Sequence, residues 1–309
     1  MTNESEATAT LTVLRPGLRT TVVDLGRPHC RSLGVPVGGA AHRASLVLGN
    51  ALVGNPPGAA ALEVTLAGPT LAADAPLACV LFGAPFELAT DRRSLVPGMT
   101  FTLAAGEELR IGGTRERLRA YLCVSGGLLT PVVLGSRSGL EAIRQGTKLS
   151  CRSAAREGRW LGHPYPTEAG GRVLRALPGR QSALFASEGF YSRGFTVARE
   201  SDRMGLRLRG EPLAPPPGEL VSEPVCPGSV QVTRDGQCIV LGVDGQTIGG
   251  YPKIAQVISA DLDKLAQLRP GEELRFQRVT LDAAEEAYRQ KQAELAEWLL
   301  RLQVTAASR

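Results

Sequence analysis

A glycine-rich loop follows an apolar stretch at residues 239–243 and contains residue types that bind anions. The loop reads Gly245-Gln-Thr-Ile-Gly-Gly-Tyr-Pro-Lys253, and Lys253 is one of only four lysines in the chain. Glycine lets backbone N–H groups approach a ligand closely, so that they and a cation can contact an anion or a polarised carbonyl. Lys253, Gln246 and Thr247 could therefore contact such an anion or carbonyl. The alternative is an ordinary turn with an exposed lysine.

The same loop is not a Walker A phosphate loop. Tyr251 stands where the lysine of that motif belongs, and Pro252 disfavours the helix that must follow it.

Two further polar clusters lie at the ends of predicted strands. Ser201-Asp-Arg-Met-Gly205 precedes a strand at residues 206–208, and Asp24-Leu-Gly-Arg-Pro28 follows an apolar run at residues 20–23. Each cluster joins an acid to an arginine, which suits a charged binding site. A local salt bridge or turn is the alternative interpretation.

The sequence offers no metal-ligand spacing and no disulfide framework. Its three histidines are isolated, and its six cysteines form no Cys-x-x-Cys pair. Most of the cysteines lie in apolar stretches, which predicts reduced core residues.

The elements that position these residues are mostly short strands. Leu118, Ala120, Leu122 and Val124 alternate with other residues at a period of two, which is typical of a half-buried strand. Similar runs occur at residues 11–14, 61–66, 77–82, 108–111, 173–177, 206–208, 229–232, 238–243 and 273–276. Asp235-Gly236 predicts a hairpin turn. Many short strands with few helices indicate barrels or sandwiches.

Two helices are predicted, at residues 41–52 and at about 282–303. In the second, Asp282 resembles an N-cap and Glu285 its capping-box partner. An apolar stripe follows from Tyr288, Leu295, Trp298, Leu299 and Leu302. The stripe predicts packing against the chain's own barrel, with a partner interface as the alternative.

We predict two lobes with a tail at each end. A disordered tail at residues 1–10 precedes an N-terminal β-barrel lobe at 11–170, a C-terminal lobe at 171–280 and a helical tail at 281–309. The boundary lies in a proline- and glycine-rich stretch at residues 163–171. Residues 105–111 and 270–276 resemble each other, as expected for two related lobes.

Charge and hydropathy exclude two classes of partner. A net charge of +5 is spread over scattered arginines with no basic run, so we expect no nucleic-acid partner. No apolar stretch approaches the roughly 18 to 20 residues of a membrane helix. We therefore expect a cytoplasmic protein without a membrane partner.

Ordered blocks of residues along almost the whole chain form a pattern. The first blocks are Arg15-Pro-Gly-Leu-Arg-Thr-Thr21, Asp24-Leu-Gly-Arg-Pro28 and Leu33-Gly-Val-Pro36. Others include Leu62-Glu63, Leu134-Gly-Ser-Arg-Ser138, Ser201-Asp-Arg-Met-Gly205, Gln246-Thr247, Gly249-Gly-Tyr-Pro-Lys-Ile-Ala255 and Ile258-Ser-Ala-Asp-Leu262. In this order the blocks resemble the family that includes the KipI antagonist, the C-type subunit of 5-oxoprolinase and the carboxyltransferase half of urea amidolyase.

This resemblance implies a mainly β fold, with two cyclophilin-like β-barrel lobes and a C-terminal amphipathic helix. It implies ATP-dependent opening of 5-oxoproline to glutamate. A homologue of KipI or of the B-type 5-oxoprolinase subunit is the expected partner, and a homologue of the A-type one is a further partner. ATP, with or without Mg²⁺, is the expected cofactor, and biotin is expected only under a carboxyltransferase alternative.

The resemblance also implies roles for particular residues. The catalytic set is Lys253, Arg203 and Asp202. The substrate-binding set is Asp24, Arg27, Arg137, Gln246, Thr247, Gly249, Gly250 and Tyr251. Among these, the cations Lys253, Arg203 and Arg137 stabilise negative charge, and the acids Asp24 and Asp202 orient them.

The chain departs from the family pattern at several positions. Val23 replaces Gln, His42 ends a Gly38-Gly-Ala-Ala-His42 run where Ser-Gly-Ala-Met-Asp is usual, and Gly245 replaces Arg. The segment after Ser138 is also shortened. Because of these departures, we keep a second alternative to an enzyme subunit. Under it, the chain is a regulatory or degenerate binding subunit similar to the KipI antagonist.

Overall fold

A computed structural model of the protein describes residues 8–156, 158–161, 172–185, 187–216, 218 and 220–307. The predicted linker at residues 163–171 lies outside the described residues. The predicted disordered tail at residues 1–10 extends too far, because residues 8–10 already belong to the first strand. Their alternating burial explains the difference, since Ala9 and Leu11 both enter the core.

The chain forms two compact units. The first comprises Met1–Gly26, Gly38–Tyr165 and Glu297–Arg309, and the second comprises Arg27–Val37 and Pro166–Ala296.

In its described residues the first unit contains ten strands, one complete helix and the last part of the long C-terminal helix. The strands are β1 (Thr8–Arg15), β2 (Arg19–Val23), β3 (Ala61–Thr65), β4 (Thr70–Ala73), β5 (Leu77–Gly83), β6 (Phe86–Thr90), β7 (Phe101–Leu103), β8 (Glu108–Thr114), β9 (Arg119–Val124) and β10 (Lys148–Arg152). They form two five-stranded sheets, ordered β10-β1-β4-β8-β6 and β2-β3-β9-β5-β7. Leu11 and Val13 of one sheet share a core with Leu62 and Val64 of the other.

Helix α1 (Arg43–Val53) covers the outer face of the second sheet. His42 is its N-cap, and its Nδ1 accepts from the Ser45 N–H at 3.1 Å. Gly54 ends the helix in the left-handed conformation that favours glycine. The predicted helix is confirmed with its start two residues later.

The second unit is built around a closed barrel. Its strands are β11 (Val173–Pro178), β12 (Gly194–Val197), β13 (Gly205–Arg209), β14 (Glu223–Pro224), β15 (Ser229–Val232), β16 (Cys238–Leu241), β17 (Ile248–Gly249), β18 (Lys253–Val257) and β19 (Glu273–Arg278). The order is β11-β18-β15-β16-β13-β12-β19, with β19 pairing back to β11. Strands β14 and β17 form a separate two-stranded ribbon. Short helices α2 (Ser187–Ser192) and α3 (Leu262–Leu265) complete the unit before the long helix α4 (Leu281–Ala307).

The barrel core is apolar and partly aromatic. The rings of Phe190 and Phe276 stack with their centroids 4.7 Å apart, and Phe195 packs edge-on against Phe276. The mainly β class, a closed barrel and the C-terminal helix are thereby confirmed.

The predicted hairpin turn joins β15 to β16. The Gly236 N–H donates to the Thr233 carbonyl at 3.0 Å, and Gly236 has φ of 78°. A side chain there would meet the Leu213 carbonyl oxygen at 2.5 Å, so the position requires glycine for both conformation and space.

A β-bulge interrupts the pairing of β15 with β18. Val230 pairs with Ala255, but the next residue, Gln231, pairs with Lys253. Ile254 is thus the extra residue. Both Ile254 and Ala255 point into the barrel core, and Lys253 lies opposite Gln231. Bulges of this kind often re-aim a side chain beside a functional site.

Helix α4 begins differently from the prediction. Thr280 is the residue whose side chain accepts from the Ala283 N–H, at 3.3 Å, so Asp282 lies inside the first turn and is not the cap. The predicted stripe is wrong at Tyr288, which is exposed. Ala284 and Ala287 are buried there because small side chains let the helix lie close to its own unit.

All six cysteines are unpaired, as predicted. The expectation that they lie in the core holds for Cys79, Cys123, Cys151 and Cys238, but Cys226 is exposed and Cys30 is half-buried. Cys226 is exposed because it begins a turn before β15. No helix in the described ranges is both long and apolar enough to cross a membrane.

Candidate functional site

Lys253 is the centre of a buried polar cluster on the outer face of the second unit's barrel. Its side chain is only 8% exposed, and Nζ lies 3.0 Å from Glu223 Oε2. Glu223 is placed there by the β14–β17 ribbon, in which it pairs with Gly249. The Lys253 ammonium and then the Gln181 amide hold the pKa of the Glu223 carboxyl below its ordinary value. The pair therefore contains a carboxylate facing an ammonium.

Gln181 fastens this ion pair to the backbone. Its Nε2 donates to Glu223 Oε2 at 3.0 Å, and its Oε1 accepts from the Lys253 N–H at 3.0 Å. The Gln181 N–H donates in turn to the Lys253 carbonyl at 3.1 Å. One amide side chain thus fixes both partners of the pair.

Gln231 and Gln246 form the other side of the cluster. Gln246 Nε2 donates to Gln231 Oε1 at 3.2 Å. Gln231 is 1% exposed, and its Nε2 has no hydrogen-bond acceptor within the described part of the chain.

A cavity of about 540 Å³ lies beside this cluster. Its walls include the predicted substrate-binding residues Gln246, Gly249, Gly250 and Tyr251, together with Arg234. A concave site of this size can enclose a small ligand. Thr247 is buried, and its backbone carbonyl accepts from the Val225 N–H at 2.9 Å.

Arg203 has a different partner from the one we expected. Its Nε and Nη2 donate to the two carboxylate oxygens of Asp244 at 2.7 and 2.9 Å. Asp202 instead accepts from the N–H groups of Met204 and Gly205, at 2.8 and 3.2 Å. The pairing of Arg203 with Asp202 is therefore wrong, because the Arg203 guanidinium is buried against Asp244, while Asp202 closes its own local turn.

Asp24, in the first unit, is the centre of a separate hydrogen-bond cluster. Its Oδ1 accepts from the hydroxyls of Ser136 and Ser138, each at 2.6 Å, and from the Gly26 N–H at 2.7 Å. Its Oδ2 accepts from the Arg137 N–H at 2.6 Å. With four donors, the carboxylate has little capacity left for a substrate.

Arg137 contacts Asp24 through its backbone alone. Its guanidinium donates to the Thr130 carbonyl, so the expected orientation of this side chain by Asp24 is wrong. Arg27 is buried and belongs to the second unit, where its N–H donates to the Val37 carbonyl at 2.8 Å.

The Asp24 cluster predicts acid sensitivity. Burial raises the pKa of Asp24, but hydrogen bonds from Ser136, Ser138 and backbone N–H groups outweigh it, so the pKa lies below the ordinary 3.8. A depressed folded-state pKa contributes stability that is fully present above about pH 3.8 and is lost as the pH falls through the folded-state pKa. We expect Asp24→Asn to cost roughly 1 to 3 kcal/mol of unfolding free energy at pH 7.

Circular-dichroism melts from pH 7 to pH 2 measure this effect. The difference between wild type and Asp24→Asn should narrow below pH 3.8, with the exposed Asp282→Asn as control. A difference that stays constant down to pH 2 would show that ionisation of Asp24 is not the cause.

A second buried cluster in the first unit was missed by the sequence analysis. Glu63 Oε2 accepts from the Tyr121 hydroxyl at 2.7 Å and from the Ala41 N–H at 2.9 Å, and Glu63 Oε1 lies 3.3 Å from Arg119 Nε. The His42 N–H donates to the Tyr121 hydroxyl at 2.7 Å. Burial raises the pKa of Tyr121 well above its ordinary value. The cluster fixes the start of α1. In the sequence, the one indication of it is the acidic Glu63 within the otherwise apolar run 61–64.

The close packing around Gly245 predicts that the family's arginine does not fit this chain. A Cβ there would meet the Met204 and Gly242 carbonyl oxygens at 2.9 and 3.0 Å. We expect Gly245→Arg to destabilise the second unit by about 1 to 3 kcal/mol. Gly194→Arg is the matched control, because no atom lies within 4 Å of its added Cβ. Equal melting temperatures for the two variants would contradict the prediction.

The structure brings together Lys253 and the four cavity residues predicted with it, and adds Gln181, Glu223 and Gln231. These three carry no local motif. Gln181 and Gln231 look like ordinary polar residues, and Glu223 lies in a proline-rich stretch.

Comparison with known proteins agrees with this architecture. Residues 33–278 match the family described as carboxyltransferase domain, subdomain A and B. The chain belongs to this carboxyltransferase-domain family.

Its relatives include two kinds of named enzyme. The chain is 35% identical to the C-type 5-oxoprolinase subunit of Haemophilus influenzae over 289 residues, which is 90% of this chain and 94% of the relative. The crystal structure of TTHA0988 is 36% identical with a TM-score of 0.80, over 89% of this chain but only 56% of that longer chain. The urea amidolyase of Kluyveromyces lactis shares the fold, with a TM-score of 0.85 at 24% identity over 94% of this chain and 20% of its own.

Proposed function

We propose that this chain is the C-type subunit of an ATP-dependent 5-oxoprolinase, which opens the lactam ring of 5-oxoproline to give glutamate. The observation that carries the proposal is 35% identity to a C-type 5-oxoprolinase subunit over nearly the full length of both chains. That relative is named as one component of a larger enzyme, which supports the need for partners. We propose a B-type component as the direct partner, with an A-type component completing the enzyme.

The Lys253 cluster supplies the chemistry that this reaction requires. Attack on a lactam places negative charge on the carbonyl oxygen, and a preorganised cation stabilises that charge best where water is excluded. Lys253 Nζ is buried 3.0 Å from Glu223 Oε2, and Gln181 holds both the Glu223 carboxylate and the Lys253 backbone N–H. The adjacent cavity gives a small ring room to bind.

The glycine loop of this chain does not have the geometry of a helix-capped phosphate loop. The glycine loop ends in strand β18, so it presents no helix N-terminus to a phosphate. Among the described residues there is also no group of three or more His, Cys, Asp or Glu side chains suited to a metal ion. We propose that the nucleotide binds to the partner subunits. The proposal requires no biotin.

Reconstitution tests the proposal. The chain is co-expressed with its B-type and A-type partners, and glutamate formation from 5-oxoproline is measured with and without ATP. We expect the three proteins to co-purify and glutamate to form only with ATP. A stable complex that forms no glutamate would reject the enzymatic function, and separate elution of this chain at micromolar concentration would reject its assignment to a multi-component enzyme.

A further inference from the structure

Two buried hydrogen-bond donors lie side by side on the outer face of the barrel. The β-bulge makes Gln231 and Lys253 direct partners on β15 and β18, while Val230, Val232 and Ile254 point into the barrel core. The two polar side chains therefore share the opposite face.

Neither donor is satisfied by the part of the chain that the structure describes. Gln231 Nε2 has no acceptor there, and Lys253 Nζ has an ion-pair contact at 3.0 Å with Glu223 but no acceptor in hydrogen-bond geometry. An ammonium has three N–H donors, and a single carboxylate contact leaves at least two unused. Buried donors without acceptors are rare and costly, so this pair is suited to an acceptor brought by a ligand.

The orientation of Gln231 is fixed by its neighbour. Gln231 Oε1 accepts from Gln246 Nε2. The other end of the Gln231 amide, Nε2, is therefore the end that has no acceptor among the described residues. The unused groups of the cluster are thus donors, and they suit an oxygen that accepts two hydrogen bonds.

The charge of the cluster selects the kind of oxygen. Glu223 lies 3.0 Å from Lys253 Nζ and 3.6 Å from Arg180 Nε, so an oxygen bound at the ammonium also lies beside a carboxylate. A carboxylate would approach the Glu223 carboxylate as well as the ammonium, whereas a neutral carbonyl oxygen uses the donors without that repulsion.

The cavity reaches almost to these donors. Gly249 lines the cavity, and a Cβ added to it would lie 2.5 Å from Gln231 Nε2. The Gln231 amide therefore lies against a residue of the cavity wall that has no side chain.

We propose that Gln231 Nε2 and Lys253 Nζ together bind the carbonyl oxygen of a neutral amide that enters from the cavity. Gln231 is then a substrate-binding residue beside Lys253. Only the identification of this amide as the lactam of 5-oxoproline rests on the function proposed above.

Binding to the isolated full-length chain tests this without ATP or partners. The probes are 2-pyrrolidinone, which has the lactam but no carboxylate, and cyclopentanecarboxylate, which has the carboxylate but no amide. Proton–nitrogen correlation spectra follow the side-chain NH₂ pair of Gln231, assigned by through-bond experiments on the wild type and checked with Gln231→Met. The control is Gln277→Met, an exposed glutamine on β19.

We expect 2-pyrrolidinone to shift the Gln231 NH₂ signals in the wild type and to bind about tenfold more weakly to Gln231→Met and Gln231→Glu, while Gln277→Met binds normally. No shift of the Gln231 signals at saturating 2-pyrrolidinone would overturn the proposal even if the variants failed to fold. Binding of cyclopentanecarboxylate as strong as that of 2-pyrrolidinone would overturn the choice of a neutral amide. Normal binding in an assembled complex that forms no glutamate would reject the proposed function alone.

Discussion

Lys253→Met is expected to lower 5-oxoproline-dependent glutamate formation by the assembled complex by roughly 10² to 10³. The variant keeps the length and apolar stem of the side chain and removes only the cation that stabilises developing negative charge. Glu223 is partly exposed, so water can solvate its carboxylate when the ammonium is gone, and the fold should survive. Turnover by the co-purified complex measures the effect.

Two controls make the Lys253 result specific. Lys148→Met removes another of the four lysines, an exposed one on β10, and should leave turnover unchanged. Glu223→Gln keeps the Lys253 ammonium but weakens the contact that holds it. We therefore expect Glu223→Gln to lose less turnover than Lys253→Met. Retention of more than about a third of the activity by Lys253→Met would remove Lys253 from the mechanism.

Breaking the Arg203–Asp244 pair is expected to destabilise the second unit by about 3 to 5 kcal/mol. Both side chains are buried, at 2% and 5% exposure, and they form a two-pronged contact. Arg203→Met leaves the Asp244 carboxylate buried without this partner, and Asp244→Leu does the same to the guanidinium. Urea unfolding followed by circular dichroism measures each loss.

The double variant separates charge from packing. Replacing both residues leaves no buried charge of the pair, so Arg203→Met with Asp244→Leu should recover much of the stability lost in either single variant. Asp202→Ala, which breaks only a local turn, should cost less than about 1 kcal/mol in comparison. Additive losses in the double variant would mean that the ion pair is not the source of the instability. The pair has a structural role in the geometry described, and the catalytic role of Arg203 stays a prediction.

The strands were predictable because their signal is local. Period-two alternation over 118–124 predicts a strand, and β9 occupies Arg119–Val124. The prediction that this strand is only half-buried is wrong, because helix α1 covers its second face and all six residues of β9 are buried. The run at 229–232 matches β15 residue for residue. Helix α1 was also predictable, since a glycine and two prolines follow its apolar residues closely.

The partners within the site were not predictable, because tertiary structure sets them. Asp244 lies 41 residues after Arg203 in the sequence, whereas the adjacent Asp202 was the obvious partner. Asp202 does not pair with Arg203 in the structure. Its carboxylate accepts instead from the N–H groups two and three residues ahead, which are already close along the chain. Glu223 and Gln181 reach Lys253 only after the barrel has formed.

One departure from the family pattern has a plain structural meaning. His42 stands where the family has Asp, and here its Nδ1 performs the capping role that an Asp carboxylate commonly performs. The exchange at this position therefore preserves the helix start, which removes one reason to regard the chain as a degenerate member.

The pairing of β19 with β11 has a consequence for how the protein is made. These strands run parallel, and they join residues about a hundred positions apart, such as Val173 and Arg275. The barrel therefore cannot close while the chain is being synthesised until β19 has left the ribosome. The first unit is also incomplete until late in synthesis, because it includes Glu297–Arg309. Within it, Arg159 donates to the Leu302 carbonyl. Each unit should reach its native state only after these distant segments have left the ribosome, through slow steps set by contacts between residues far apart in the sequence.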